Sequence, residues 1–241
     1  MSRSGRASKP WSTDPYSGAV ITPYEGEPSA QPWRAQRLDT VVTDLLADCA
    51  GITGRPVVLA VDGRQGGGKS TLADRIAATV PGTAIVHTDD VAWWESFFGW
   101  EHLMTAGILA PLHAARTVAY RPPAWDVRGR EGAIDVPIGA PLVIIEGVGA
   151  SRSGLVPHLD AAVWVQSDYA EATRRGIERD GGTNEDAAFW REWAAEENPF
   201  LAADRPWERA DVVVCGTPEL ADVVWDPVHD VLVRRSLRAA Q

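Results

Sequence analysis

The sequence predicts an α/β fold in which a mainly parallel sheet is flanked by helices on both faces, giving three layers. Three observations predict it. Short runs rich in β-branched residues recur along the chain: Val57–Val61, Thr83–Val86, Pro141–Ile145, Ala161–Gln166 and Asp211–Cys215. Segments with helical spacing separate them, and strands alternating with helices imply a parallel sheet covered on both sides. The strongest runs are apolar without alternation, the pattern of strands buried on both faces.

The elements follow in order. Residues 1–36 carry Pro10, Pro15, Pro23, Pro28 and Pro32 among Ser, Gly and Thr. This composition reads as an N-terminal arm outside a domain spanning 37–241. Trp11, Tyr16, Tyr24 and Trp33 are residues with which such an arm packs onto a body. Leu38, Val41, Val42, Leu45, Leu46 and Cys49 recur at helical spacing and predict a lead-in helix. Residues 69–79 and 91–116 read as helices, the second rich in tryptophan. Thr117–Arg121 and Ala133–Val136 are weaker strand candidates. Residues 168–180 and 184–203 read as two helices of a lid region. The tail from Thr217 gives no clear pattern.

Bulk properties bound the function. The 241 residues are 45% hydrophobic and 23% charged, enough for a sizeable core. The net charge is −10 and no basic stripe is visible, which argues against nucleic acid and anionic membrane as partners. Cys49 and Cys215 are far apart and fit no metal spacing, so they read as reduced thiols. The five histidines form no ligand pattern. No apolar run reaches membrane-spanning length, and the first residues lack the apolar segment of a secretory signal. A cytoplasmic protein with a small-molecule partner is the expectation.

The segment Val57–Thr71 reads VVLAVDGRQGGGKST. Gly63, Gly68, Lys69 and Ser70 fit the pattern G-x-x-x-x-G-K-[ST] of a phosphate-binding loop, or P-loop. The glycines Gly63, Gly66, Gly67 and Gly68 let the backbone approach a ligand closely. Successive N–H groups along Arg64, Gln65 and the glycines, continuing to Thr71, then face one concavity. The following helix adds its positive end. Lys69 reaches toward the β- and γ-phosphates, and Ser70 toward Mg²⁺. A bound nucleoside triphosphate, expected to be ATP, and Mg²⁺ are the cofactors implied.

Other positions carry chemistry only in combination. Asp89 and Asp90 follow the second strand, at the end of the sheet where ligands bind. One can cap a helix while the other orients or deprotonates an acceptor hydroxyl. Glu146 ends a buried strand, and suits either a water-mediated Mg²⁺ contact or a solvent-facing strand end. Arg174, Arg175 and Arg179 lie on a predicted helix, free either to fold over a triphosphate or to pair with Glu171, Glu178 and Asp180. Trp93, Trp94, Trp100 and Trp125 can stack on a flat acceptor or fill the core. Tyr120 and Asp126 can supply acceptor hydrogen bonds, with Asp90, Trp93 and Trp125 as further substrate contacts.

These residues together resemble the uridine kinase-like branch of P-loop kinases, which includes phosphoribulokinase and bacterial pantothenate kinase. The matching pieces are Gly63–Thr71, Asp89-Asp90, Tyr120–Asp126, Glu146-Gly147, Arg174–Asp180 and Cys215-Gly216-Thr217-Pro218. They span residues 57–218 in the family's order. The resemblance implies a P-loop NTPase fold and an ATP-dependent kinase. It gives Asp89 the acceptor hydroxyl, Arg175 and Arg179 the phosphates, and Gly216, Thr217 and Pro218 the neighbourhood of the adenine. Two departures stand out. Asp89 is followed by Asp90, Val91, Ala92 and Trp93 where uridine kinases have Asp-x-Phe-Tyr. Gly176 stands where an arginine would align. The phosphotransferase class is therefore better supported than uridine as the acceptor. A nucleoside-monophosphate kinase, kept open by Arg116, Arg121 and Arg128, and a regulatory nucleotide-binding module are the alternatives.

Overall fold

A seven-stranded sheet has the order β1-β9-β8-β7-β2-β6-β3. Its strands are β1 (Arg34–Arg37), β2 (Val57–Gly63), β3 (Ala84–His87), β6 (Leu142–Glu146), β7 (Ala161–Gln166), β8 (Val212–Cys215) and β9 (Asp230–Arg235). The five strands from β8 to β3 pair in parallel, while β9 and β1 add an antiparallel edge. A separate antiparallel ribbon joins β4 (Val118–Tyr120) to β5 (Ile134–Val136). The computed structural model describes residues 20–235.

Alternating side chains of the central strands feed two cores. Leu59, Val61, Leu142 and Ile144 pack with α1 (Leu38–Asp48) and α2 (Lys69–Thr79) on one face. Val58, Ala60, Val143 and Ile145 pack with Trp100, Met104, Ile108 and Leu109 on the other. This second layer comes from 91–116, expected as one helix. Instead α3 (Thr88–Ala92) stops, Trp94 takes φ 64, and the chain turns before α4 (Glu101–Met104). A π-helical turn (Thr105–Leu109) then leads into α5 (Ala110–His113). Pro111 lacks the N–H that a regular α-turn there would use, which accounts for the widened turn.

The remaining helices are α6 (Pro123–Arg128), α7 (Tyr169–Asp180) and α8 (Asn184–Asp204). Asp168 starts α7 by accepting the N–H of Glu171 at 3.0 Å. A reciprocal pair of hydrogen bonds between Thr183 and Asp186 starts α8. These are the two helices expected to form a lid.

The expected boundary between residues 36 and 37 falls inside β1. Ile21, Ala30 and Trp33 of the arm are buried in a third cluster with Trp164, Trp207 and Leu232. The described part of the arm, from residue 20, is thus built into the body, and Trp11 and Tyr16 lie outside the described residues. Cys49 and Cys215 are free and buried. Among the described residues no helix is long and apolar enough to cross a membrane.

Candidate functional site

The site sits at the carboxyl ends of β2, β3 and β6. From β2 the chain passes through residues 64–68 into α2. Gly68 holds the N-cap position with φ 90, a left-handed conformation that favours glycine, and no side chain caps the helix. The first-turn N–H groups of α2 are left for an anion. Lys69 is buried, and its Nζ donates to the Arg64 carbonyl at 2.9 Å.

Sheet register brings the next groups together, pairing His87 at the end of β3 with Glu146 at the end of β6. Glu146 Oε2 lies 2.6 Å from His87 Nδ1, and Oε1 accepts the Ser70 hydroxyl at 3.2 Å. Burial opposes the charge on Glu146. The His87 hydrogen bond, Lys69 and the Ser70 hydroxyl outweigh it and hold the carboxyl below its ordinary range. The same hydrogen bond raises the His87 imidazole against the pull of burial. Asp89 opens α3 beside them. Surrounding protein pushes its carboxyl up, Lys69 pulls it down, and Glu146 adds to the rise. Asp89 stays accessible to water on the cavity side, which limits that rise. Behind the loop, fully buried Asp62 accepts the N–H groups of Gly63, Gly149 and Ser151 and the Ser151 hydroxyl. It thereby ties β2 to the segment after β6.

A cavity of about 1160 Å³ opens over these groups. The loop Gln65–Thr71, Asp89 and Glu146 line its floor, and Arg175 and Arg179 of α7 line it from the lid. Aromatic rings also line it: Trp93, Trp94 and Phe97 come from the turn after α3, and Phe189 and Trp193 from α8. Phe97 and Trp193 meet edge to face at 5.2 Å. An adjoining cavity of about 270 Å³ shares Gly68, Thr71 and Arg175, and is walled by Gly216, Pro218 and Trp225. Arg175 bridges the two, donating to the Gly216 carbonyl at 3.0 Å. Arg174 instead lies outside, paired with Glu171 and Glu178.

Several expected residues are used elsewhere. Gly63 lies beneath the loop against Val165. The Arg64 side chain turns away from the cavity into a buried ion-pair network. Thr217 is fully buried, its hydroxyl accepting the Asp168 N–H at 2.9 Å. Trp93 lines the main cavity, as do Trp94 and Trp100, which were candidates for stacking, but Asp90, Tyr120, Trp125 and Asp126 do not. Asp90 is ion-paired with Arg130. Tyr120 lies over Gly107. Trp125 is buried and donates to the Asp90 carbonyl at 2.9 Å. Asp126 pairs with Arg121 in solvent. Partners brought up by the fold, Arg130, Gly107, the Asp90 carbonyl and Arg121, claimed all four.

Conversely, His87, Phe97, Phe189 and Trp193 reach the site without having been expected there. Phe189 and Trp193 are four apart on one helix, a spacing that shares a face. His87 ends the strand two residues before Asp89. Both signals were present in the sequence.

The residues fit Mg²⁺ as P-loop proteins hold it, by a hydroxyl and a carboxylate with phosphate and water completing the shell. Ser70 and Glu146 supply those hard oxygens side by side. Among the described residues no cluster of three or more His, Cys, Asp or Glu could hold a metal by itself.

No family model matches the chain, and a search of curated proteins finds no match. Among solved structures it is similar to a possible uridine kinase from Bacillus stearothermophilus. Identity is 22% over 73% of this chain and 96% of that chain, with a TM-score of 0.50. It is also similar to a candidate fructose transport system kinase from a Silicibacter species, 20% identical over 71% of this chain and 93% of that chain, with a TM-score of 0.49. The sheet order, the glycine loop between β2 and α2 and the first of these likenesses establish a three-layer α/β/α P-loop NTPase fold.

Proposed function

We propose that the protein is an ATP-dependent kinase that moves the γ-phosphoryl group to a hydroxyl of an uncharged, flat-faced metabolite such as a nucleoside. One observation carries this reading: Asp89, the phosphate-binding loop and several aromatic rings line one cavity. A hydrolase or motor has no need of an acceptor chamber of that size beside the loop.

In this reading ATP lies on Gly66–Thr71, with its base toward Gly216, Pro218 and Trp225. Lys69 exchanges the Arg64 carbonyl for phosphate oxygens. Asp89 orients the acceptor hydroxyl and takes its proton as the acceptor oxygen bonds to the γ-phosphorus and the bond to the β-phosphate oxygen breaks. Arg175 and Arg179 offset the charge of the departing ADP. Mg²⁺, when bound, neutralises phosphate charge, with Ser70 and Glu146 to hold it. The setting is the cytoplasm, which supplies ATP and Mg²⁺.

The aromatic lining suits a flat face, and Asp89 and Glu95 line the same cavity with negative charge. A nucleoside monophosphate finds less support. Arg121 is taken by Asp126, Arg128 lies 3.4 Å over the Trp94 ring, and neither they nor Arg116 line the cavity. The test is Mg²⁺-dependent ADP release with nucleosides, nucleoside monophosphates, sugars and sugar phosphates. Stimulation by an uncharged acceptor supports the reading. Silence across the whole panel, or stimulation only by phosphorylated acceptors, defeats it.

A further inference from the structure

Arg64 stands in the phosphate-binding loop, yet its guanidinium is buried on the side away from the cavity. Its Nε is 3.1 Å from Glu27 of the arm. One terminal nitrogen donates to Asn198 of α8 at 2.8 Å and lies 3.7 Å from Glu197. The Tyr24 ring covers the guanidinium at 4.4 Å. Glu27 is itself fixed by the Trp164 indole N–H at 2.6 Å and the Gln166 amide at 2.9 Å. Two segments remote in sequence, the arm and α8, converge on one cation of the loop.

Glu197 does more than face Arg64. Its Oε1 accepts the backbone N–H of Gln65, the next residue of the loop, at 2.7 Å. Glu197 is only 3% exposed on a helix whose neighbours Glu196 and Ala195 are exposed. A carboxylate buried this deeply is stable only when its partners are fixed in place. The other side of the loop is closed as tightly: a Cβ on Gly66 would sit 2.4 Å from the Ala172 carbonyl of α7. The N–H group that Glu197 occupies precedes the glycines, and within them Gly67 N–H donates to the Arg64 carbonyl at 3.0 Å, so the loop is also tied to itself.

We propose that Glu197 is a positioning residue. By holding Gln65 N–H, and with Glu27 gripping Arg64, it sets the phosphate-binding loop in its working shape before nucleotide arrives. The proposal rests on the nucleotide-binding reading above. Preorganisation removes an ordering penalty from the binding step. Losing it therefore weakens nucleotide affinity and leaves acceptor handling alone.

The experiment is calorimetric titration of Mg·ATP into the full chain and its variants, with the acceptor KM measured alongside. Glu197→Ala is expected to bind Mg·ATP about tenfold or more weakly, with the acceptor KM unchanged. Glu197→Gln keeps an oxygen for Gln65 N–H and is expected to recover most of that loss. A purely structural role would lower the melting temperature without this split. Glu197→Ala binding within about twofold of wild type, or Glu197→Gln binding as weakly as Glu197→Ala, overturns the proposal. Should Glu197→Ala not fold, amide exchange on the wild type decides. Slow exchange across residues 63–68 without nucleotide supports a preformed loop, and exchange that slows only on adding Mg·ATP overturns it. Wild-type protein that fails to bind Mg·ATP at all defeats the nucleotide-binding reading instead.

Discussion

The ammonium of Lys69 hydrogen-bonds the carbonyl oxygen of Arg64, at 2.9 Å, across its own loop. The cation that the motif reserves for phosphate is thus held by a neutral acceptor of its own loop. A phosphate oxygen carries charge and makes the stronger bond, so binding draws Lys69 outward at little penalty. Lys69→Met is expected to lower kcat by about 10²-fold or more while the fold persists. Steady-state kinetics beside circular dichroism checks it.

Asp89→Asn is expected to retain Mg·ATP binding and lose about 10²- to 10⁴-fold in turnover. A pH profile tests the same residue. Burial raises the Asp89 carboxyl above its ordinary 3.8, and only its ionised form accepts a proton. Activity therefore falls as pH drops through a value above 3.8, giving an acid limb shifted toward neutrality. A limb that persists unchanged in Asp89→Asn would assign it to another group.

The pair His87–Glu146 makes stability depend on pH from both sides. Glu146 raises His87 above its ordinary 6.5. That contribution is complete below 6.5 and fades as pH rises through the raised value. Glu146 is held below its ordinary 4.5, so its contribution is present above 4.5 and is lost as pH falls through the lowered value. The pair is strongest between 4.5 and 6.5. The melting-temperature gap between wild type and His87→Gln should be widest in that window and narrow on either side.

Gly176→Ala tests the lid. A Cβ there would lie 1.9 Å from Trp190 Cη2 and 2.0 Å from Cζ2. The indole is anchored by its bond to Asp180 at 2.9 Å and cannot swing away freely. Overpacking of this kind costs about 1–3 kcal/mol, readable as a lowered urea midpoint. The contact also explains why no arginine occupies the position: the indole of α8 fills the space a side chain would need.

Sequence patterning reported some of these features and hid others for physical reasons. β2, β6, β7 and β8 are buried on both faces, so their continuous apolar runs announced them. β1, with the sequence RAQR, is an exposed edge whose pairing comes from backbone groups and leaves no apolar trace. The break after α3 follows from tertiary packing of Trp93–Trp100, which overrides helical spacing. At the site, loop residues and Asp89 were legible because backbone topology alone places them. Asp90, Tyr120, Trp125 and Asp126 were not, because a polar or aromatic side chain takes the nearest good partner, and sequence distance does not reveal which one that is. Glu197 was hidden in a run of acidic residues, where only the fold distinguishes the buried one.

Among the described residues, the order of the sheet leaves β1 and β3 each without a neighbour on one side. Such strands offer N–H and C=O groups to any strand of another molecule. Here both are four residues long, too short to template an extended pairing. β1 adds Arg34 and Arg37, the latter tied to Asp39 at 2.7 Å, and a second sheet docking there would have to strip water from both charges. Protection of the β1 edge from sheet-to-sheet association therefore comes from its shortness together with two arginines that stand outside the proposed site.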